Sequence, residues 1–162
     1  DVSKNITYTD CVAWGSKARA FGITGEVEQN ISDVTFKDCA VIFRDATWDN
    51  SRLGSLVIIV EVGSGNVSNV TFENIQVYND AGRAINISIL KSGEANNKID
   101  NIMFRNVNYN ASAKSRLCTT KSGNNSISAN FENVITNSNA ITSGNSAAYV
   151  LFSGPNSKLT VK

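Results

Sequence analysis

One short phrase recurs five times along the chain: ITYTDCVAW, VTFKDCAVIF, VTFENIQVYN, IMFRNVNYN and ANFENVITN. It places an aromatic ring at Tyr8, Phe36, Phe72, Phe104 and Phe131, at intervals between 27 and 36 residues. Two residues after each ring comes Asp10, Asp38, Asn74, Asn106 or Asn133, followed by Cys11, Cys39, Ile75, Val107 or Val134. Self-similarity at such a period is the signature of a stacked-repeat architecture, in which one unit cannot bury its apolar face alone. The Asp/Asn position suits a tight corner, because a short polar side chain tolerates the left-handed conformation. Stacked amides at that position can also hydrogen-bond along the ladder, and the aromatic column fills the interior.

Each repeat carries a second apolar segment: ARAFGITG, SLVIIVEVGSG, RAINISILKSG, SRLCTTKSG and AYVLFSG. These end at Gly25, Gly63, Gly93, Gly123 and Gly154. The apolar runs are short and β-branched, periodic helix caps are missing, and the chain holds one proline against 22 asparagines. The expectation is an all-β, right-handed, single-stranded parallel β-helix of about five coils, forming one domain over residues 1–162. Glu61, Lys91 and Lys121 recur two residues before a glycine and read as a surface ion-pair ladder.

A net charge of +1 gives no sign of nucleic acid or an anionic membrane surface as partner, and no apolar run is long enough to span a bilayer. With no initiating Met, Asp1 reads as a processed or truncated end. N-x-S/T sequons stand at Asn5, Asn30, Asn66, Asn69, Asn86, Asn110 and Asn124, against roughly four expected by chance in so Asn-, Ser- and Thr-rich a chain. That excess favours a secreted, extracellular glycoprotein. Cys11 and Cys39 occupy the same repeat position, so adjacent layers would hold their Cα atoms about 4.8 Å apart, within disulfide range. Two small buried thiols are the alternative, and Cys118 has no counterpart.

The absence of histidine removes His-based triads and His-rich metal sites, and there is no CxxC, P-loop or GxGxxG. No cofactor is implied, and acid–base work falls to the 14 carboxylates. Asp10 and Asp38 belong to the corner column, Glu73 and Glu132 follow the rings, and Asp33 and Asp100 precede strands. Glu26, Asp45, Asp49 and Glu61 remain, and no Asp-Asp pair occurs, so no catalytic residue is assigned. The longest insertion, FRDATWDNSRLG, places Trp48 among charged residues, a combination suited to stacking on a sugar ring while its hydroxyls meet the charges. Arg19, Glu26, Arg44, Asp45, Trp48 and Asp49 are the candidate substrate contacts.

The segment NITYTDCVAWGSKARAFGITGEVEQNISDVTFKDCAVIF resembles the later coils of β-helical glycoside hydrolases of the dextranase and isopullulanase group, family 49. Val12, Ala13 and Trp14, then Phe21, Gly22 and Thr24, then Val34, Phe36, Asp38, Val41 and Ile42 carry the resemblance. GNVSNVTFENIQV is similar, more distantly, to polygalacturonases of family 28. Together these cover about half the chain, from Asn5 to Ile89. The resemblance implies a polysaccharide-degrading enzyme whose catalytic aspartates precede residue 1, leaving this chain the C-terminal coils of a longer β-helix. The partner on residues 1–25 would then be the N-terminal coils or another copy of the chain. The Gly-His-Gly and Arg-Ile-Lys motifs of polygalacturonases align with Ala18, Arg19 and Ala20, and with Val57, Ile58 and Ile59, which disfavours a polyuronate. A neutral glycan, an α-glucan such as dextran, is the expected substrate. A non-catalytic β-solenoid (glycan-binding module, adhesin or cell-wall protein) is the alternative.

Overall fold

The structure is a computed structural model that describes residues 3–45, 52–90, 96–119 and 124–162. The described chain is all-β apart from one short helix, α1 (Ser146–Tyr149). Its strands are β1 (Ser3–Thr9), β2 (Val12–Ser16), β3 (Arg19–Glu26), β4 (Ile31–Lys37), β5 (Ala40–Arg44), β6 (Gly54–Val62) and β7 (Val67–Arg83). They continue as β8 (Ile85–Ile89), β9 (Lys98–Ala113), β10 (Ser115–Thr119), β11 (Ser126–Thr136), β12 (Asn139–Ala140), β13 (Val150–Ser153) and β14 (Ser157–Val161).

The recurring phrase sets the first sheet. β1, β4, β7, β9 and β11 pair in that order, all in parallel, and β14 adds to β11. The register joins Tyr8 to Phe36, Phe36 to Phe72, Phe72 to Phe104 and Phe104 to Phe131. β2 and β5 extend this sheet alongside β7, and the short β12 pairs antiparallel with β11, making the sheet mixed. The second apolar segments form the other sheet, with β3, β6, β8, β10 and β13 paired in parallel in sequence order.

Side-chain alternation explains the core between the sheets. Val34, Phe36, Val70, Phe72, Ile102, Phe104 and Phe131 point in from the first sheet, and Leu56, Ile58, Ile85, Ile87 and Leu117 from the second. Consecutive rings from Tyr8 to Phe104 are stacked at 4.8–5.1 Å, while Phe131 meets Phe104 edge-on at 5.3 Å. β6 and β8 are buried on both faces, which is why SLVIIV and INISI read as nearly unbroken apolar runs.

The Asp/Asn column turns the chain. Asp10, Asp38, Asn74, Asn106 and Asn133 all have φ between 52° and 54°. A second column at Asn5, Asp33, Asn69 and Asn101 has φ between 52° and 59°. Each amide donates to the repeat before it: Asn133 to Asn106, Asn106 to Asn74 and Asn74 to Asp38 at 2.8–3.0 Å. Asn101 to Asn69 and Asn69 to Asp33, each 2.9 Å, do the same in the second column. The Asn69 amide, with Ser32 behind it, holds the Asp33 carboxyl below its usual range. Gly25, Gly63 and Gly154 have φ of 96°, 104° and 92°, as a turn column demands, while Gly93 and Gly123 lie outside the described residues. Gly22 answers a different need, since a Cβ there would sit 2.0 Å from the Val57 carbonyl oxygen of the adjacent strand.

The layer formed by β1, β2 and β3 is the least covered. Tyr8 keeps 46% of its surface exposed although it stacks on Phe36, whereas Phe72 and Phe104 keep none. The thiols of Cys11, Cys39 and Cys118 are free; Cys39 is buried and donates to Lys37 O at 3.1 Å. Burial pushes the Cys39 thiol up.

Candidate functional site

Two regions gather the polar and aromatic side chains that the core does not use. The first lies at the corner between the two sheets and is closed. Arg44, at the end of β5, is in register with Asp80 on β7. Its guanidinium forms a bidentate pair with the Asp80 carboxylate, Nε donating at 2.8 Å, and Nη1 donates to the Ala18 carbonyl at 3.2 Å. Asp80 also accepts from the Ser55 hydroxyl at 2.6 Å and from the Gly82 backbone N–H at 2.8 Å. Arg44, Ser55 and Asp80 have no exposed surface. A carboxylate receiving charge-assisted bonds from an arginine, a hydroxyl and a backbone amide is held as an acceptor. Arg44, one of the candidate substrate contacts, is thus buried with these donors directed to groups inside the protein.

Arg19 lies beside this corner. Its Nη2 pairs with Glu61, Nη1 donates to Thr24 Oγ1 at 3.3 Å and Nε to the Arg52 carbonyl at 2.9 Å. Arg52 joins Glu61 from its other side at 3.4 Å. Glu61 thus bridges two arginines; Lys91 and Lys121, the other members of the expected ion-pair ladder, lie outside the described residues. The side of the second sheet turned away from the core is covered at its centre, where Val57, Ile59, Asn86 and Ser88 have no exposure. Asn86, one of the sequon asparagines, donates its amide to the Leu53 carbonyl at 2.9 Å. Asn5, Asn30, Asn69, Asn110 and Asn124 are exposed and Asn66 is half-buried.

The second region is open. β2 turns Ala13 inward, so Val12 and Trp14 point outward with 66% and 79% of their surfaces exposed. On β7, Val77 is in the core and Tyr78 faces out at 55%. β5 separates these two strands, which places the Trp14 and Tyr78 backbones two strand spacings, about 10 Å, apart. Beyond Trp14, Lys17 Nζ meets Asp45 Oδ2 at 2.9 Å, and Asp45 N donates to Ser16 O at 3.0 Å. An aromatic face with a flexible exposed ion pair beside it offers stacking area and adjustable hydrogen bonds.

Comparison with family models, with curated proteins and with solved structures finds no match.

The six candidate contacts separate accordingly. Asp45 lies in the open region, Arg19 in the ion-pair cluster and Arg44 in the closed corner; Glu26 is exposed at the end of β3 and makes no ion pair among the described residues. Trp48 and Asp49 lie outside the described residues. Among the described residues no three of Asp, Glu, Cys or His converge as a metal site, and no helix is long and apolar enough to cross a membrane. A groove of about 190 Å³ beside α1, lined by Ser112, Lys114, Thr136, Asn137 and Tyr149, has its one cation directed at the Ala147 carbonyl at 3.2 Å.

Sequence reasoning passed over Asp80, Ser55, Tyr78 and the outward face of Trp14. The Arg44–Asp80 pair did leave a signal: its separation of 36 residues equals that of Asp38 and Asn74 in the corner column. Trp14 left none, because one residue of alternation decides whether a ring at the end of an apolar run faces core or water.

Proposed function

We propose that the chain is a right-handed parallel β-helix of about five coils and that it handles a linear polysaccharide, as part of a secreted glycoside hydrolase acting on a neutral glycan such as an α-glucan. The observation that carries this reading is the outward pair of exposed aromatics, Trp14 and Tyr78, next to the Lys17–Asp45 ion pair. Sugar rings present apolar C–H faces to aromatic planes and hydroxyls to charged groups, and parallel strands repeat such positions at about 4.8 Å along one line. The bare β1–β3 layer, with Tyr8 half-exposed, suits a further layer of parallel strands, supplied by preceding coils or by a second copy. Catalysis requires a free carboxylate pair, which that further layer would supply.

A non-catalytic glycan-binding solenoid is favoured by one specific observation. Of the candidate carboxylates among the described residues, Asp45 and Glu61 are committed to cations, which leaves Glu26 as the one without an ion pair. Affinity electrophoresis of the intact protein through dextran, with product analysis on the same samples, tests both readings. Retardation that Trp14→Ala and Tyr78→Ala each abolish, with native circular dichroism, supports the glycan reading; unretarded wild-type protein refutes it. Release of oligosaccharides selects the hydrolase over the binding module.

A further inference from the structure

The corner network leaves two arginines over. Arg83, at the end of β7, has Nε and Nη1 covered by protein and without a hydrogen-bond partner. Asp80, three residues before it on β7, has its oxygens occupied by Arg44, Ser55 and the Gly82 N–H. Arg83 is in register with Ala113 of the next repeat, three residues before Arg116 on β10, and Arg116 Nη2 contacts the Cys118 sulfur at 3.0 Å. No ion pair to a carboxylate is found for either arginine among the described residues. Arg116 stands in register between Asn86, which is wholly buried, and Leu151, which keeps 47% of its surface exposed. The covered centre of the second sheet therefore gives way to solvent at this point, and both arginines are only part-buried.

We propose that Arg83 and Arg116 form a binding site for an oxyanion, a carboxylate or a sulfate group carried by a ligand. Two guanidinium groups on adjoining repeats repel each other, and covered guanidinium donors without partners are unfavourable to leave unmatched. Burial, and then the Arg116 charge, already hold the Arg83 guanidinium below its usual proton affinity. An oxyanion bridging the pair relieves both effects, because planar guanidinium forks match carboxylate and sulfate oxygens in bidentate fashion. This site stands apart from the Trp14–Tyr78 platform and does not depend on the glycan reading.

The test is a calorimetric titration of the intact protein with sodium sulfate and with sodium glucuronate, at ionic strength held constant with chloride, and glucose as the neutral control. Saturable binding of either anion is expected, with no response to glucose. Arg116→Gln and Arg83→Gln should each weaken that binding by at least about tenfold, the loss of one charge-assisted fork. Sulfate alone saturating identifies a tetrahedral group, and glucuronate alone a planar carboxylate. If Arg83→Gln does not fold, Arg116→Gln, whose side chain sits toward the exposed side, decides alone. Equal affinity in wild type and Arg116→Gln, or no saturation with either anion, overturns the proposal.

Discussion

At the scale of single residues, the corner asparagines combine two roles that substitution can separate. Asn106 has φ of 52° and donates to Asn74 Oδ1 while accepting from Asn133. Asn106→Gly keeps the backbone conformation and loses the ladder bonds; Asn106→Ala loses both and should cost about 1–2 kcal/mol more in urea unfolding. Arg44→Met is expected to cost about 3–5 kcal/mol, because it strands the buried Asp80 carboxylate, and Arg44→Met combined with Asp80→Leu should recover part of that loss. Tyr109 supplies a pH signature. Burial raises its phenol above the ordinary value of 10.0, against the opposing hydrogen bonds of Ser115 and Thr136. A folded pKa above the unfolded one gives stability that is whole below the unfolded pKa and lost as pH rises through the folded value. The melting temperature should therefore fall on the alkaline side of pH 10, and less so in Tyr109→Phe, which has no proton to lose.

At the scale of elements, the ring column predicts a gradient. Phe72 stacks on both sides with no exposure, whereas Tyr8 stacks on Phe36 alone and remains 46% exposed. Phe72→Ala should lose about 3–5 kcal/mol in denaturant unfolding, and Tyr8→Ala clearly less. Equal losses would mean that the β1 layer is covered in solution. These elements were the most legible part of the sequence. The aromatic, the Asx corner and the turn glycine each obey a local rule, so β1, β4, β7, β9 and β11 align as the phrase does. The closed corner was less legible, because Arg44, Ser55, Asp80, Arg83 and Arg116 come from four different strands. Their meeting depends on loop lengths that vary from one repeat to the next, so only the Arg44–Asp80 member keeps the repeat spacing.

At the scale of the whole molecule, the chain puts its chemistry where its regularity ends. The stacked interior is apolar, and the features left for recognition are an exposed aromatic strip on β2 and β7 and a cationic corner by β7 and β10. The strip is the central claim, and the chain's two tryptophans allow it to be read directly. With Trp48→Phe in place, Trp14 is the sole tryptophan, and its fluorescence can be followed while dextran oligosaccharides are added to the intact protein. The account predicts a saturable change in Trp14 emission whose affinity rises with oligosaccharide length and collapses in Tyr78→Ala. Emission that stays constant across all lengths, in a protein with native circular dichroism, would contradict it.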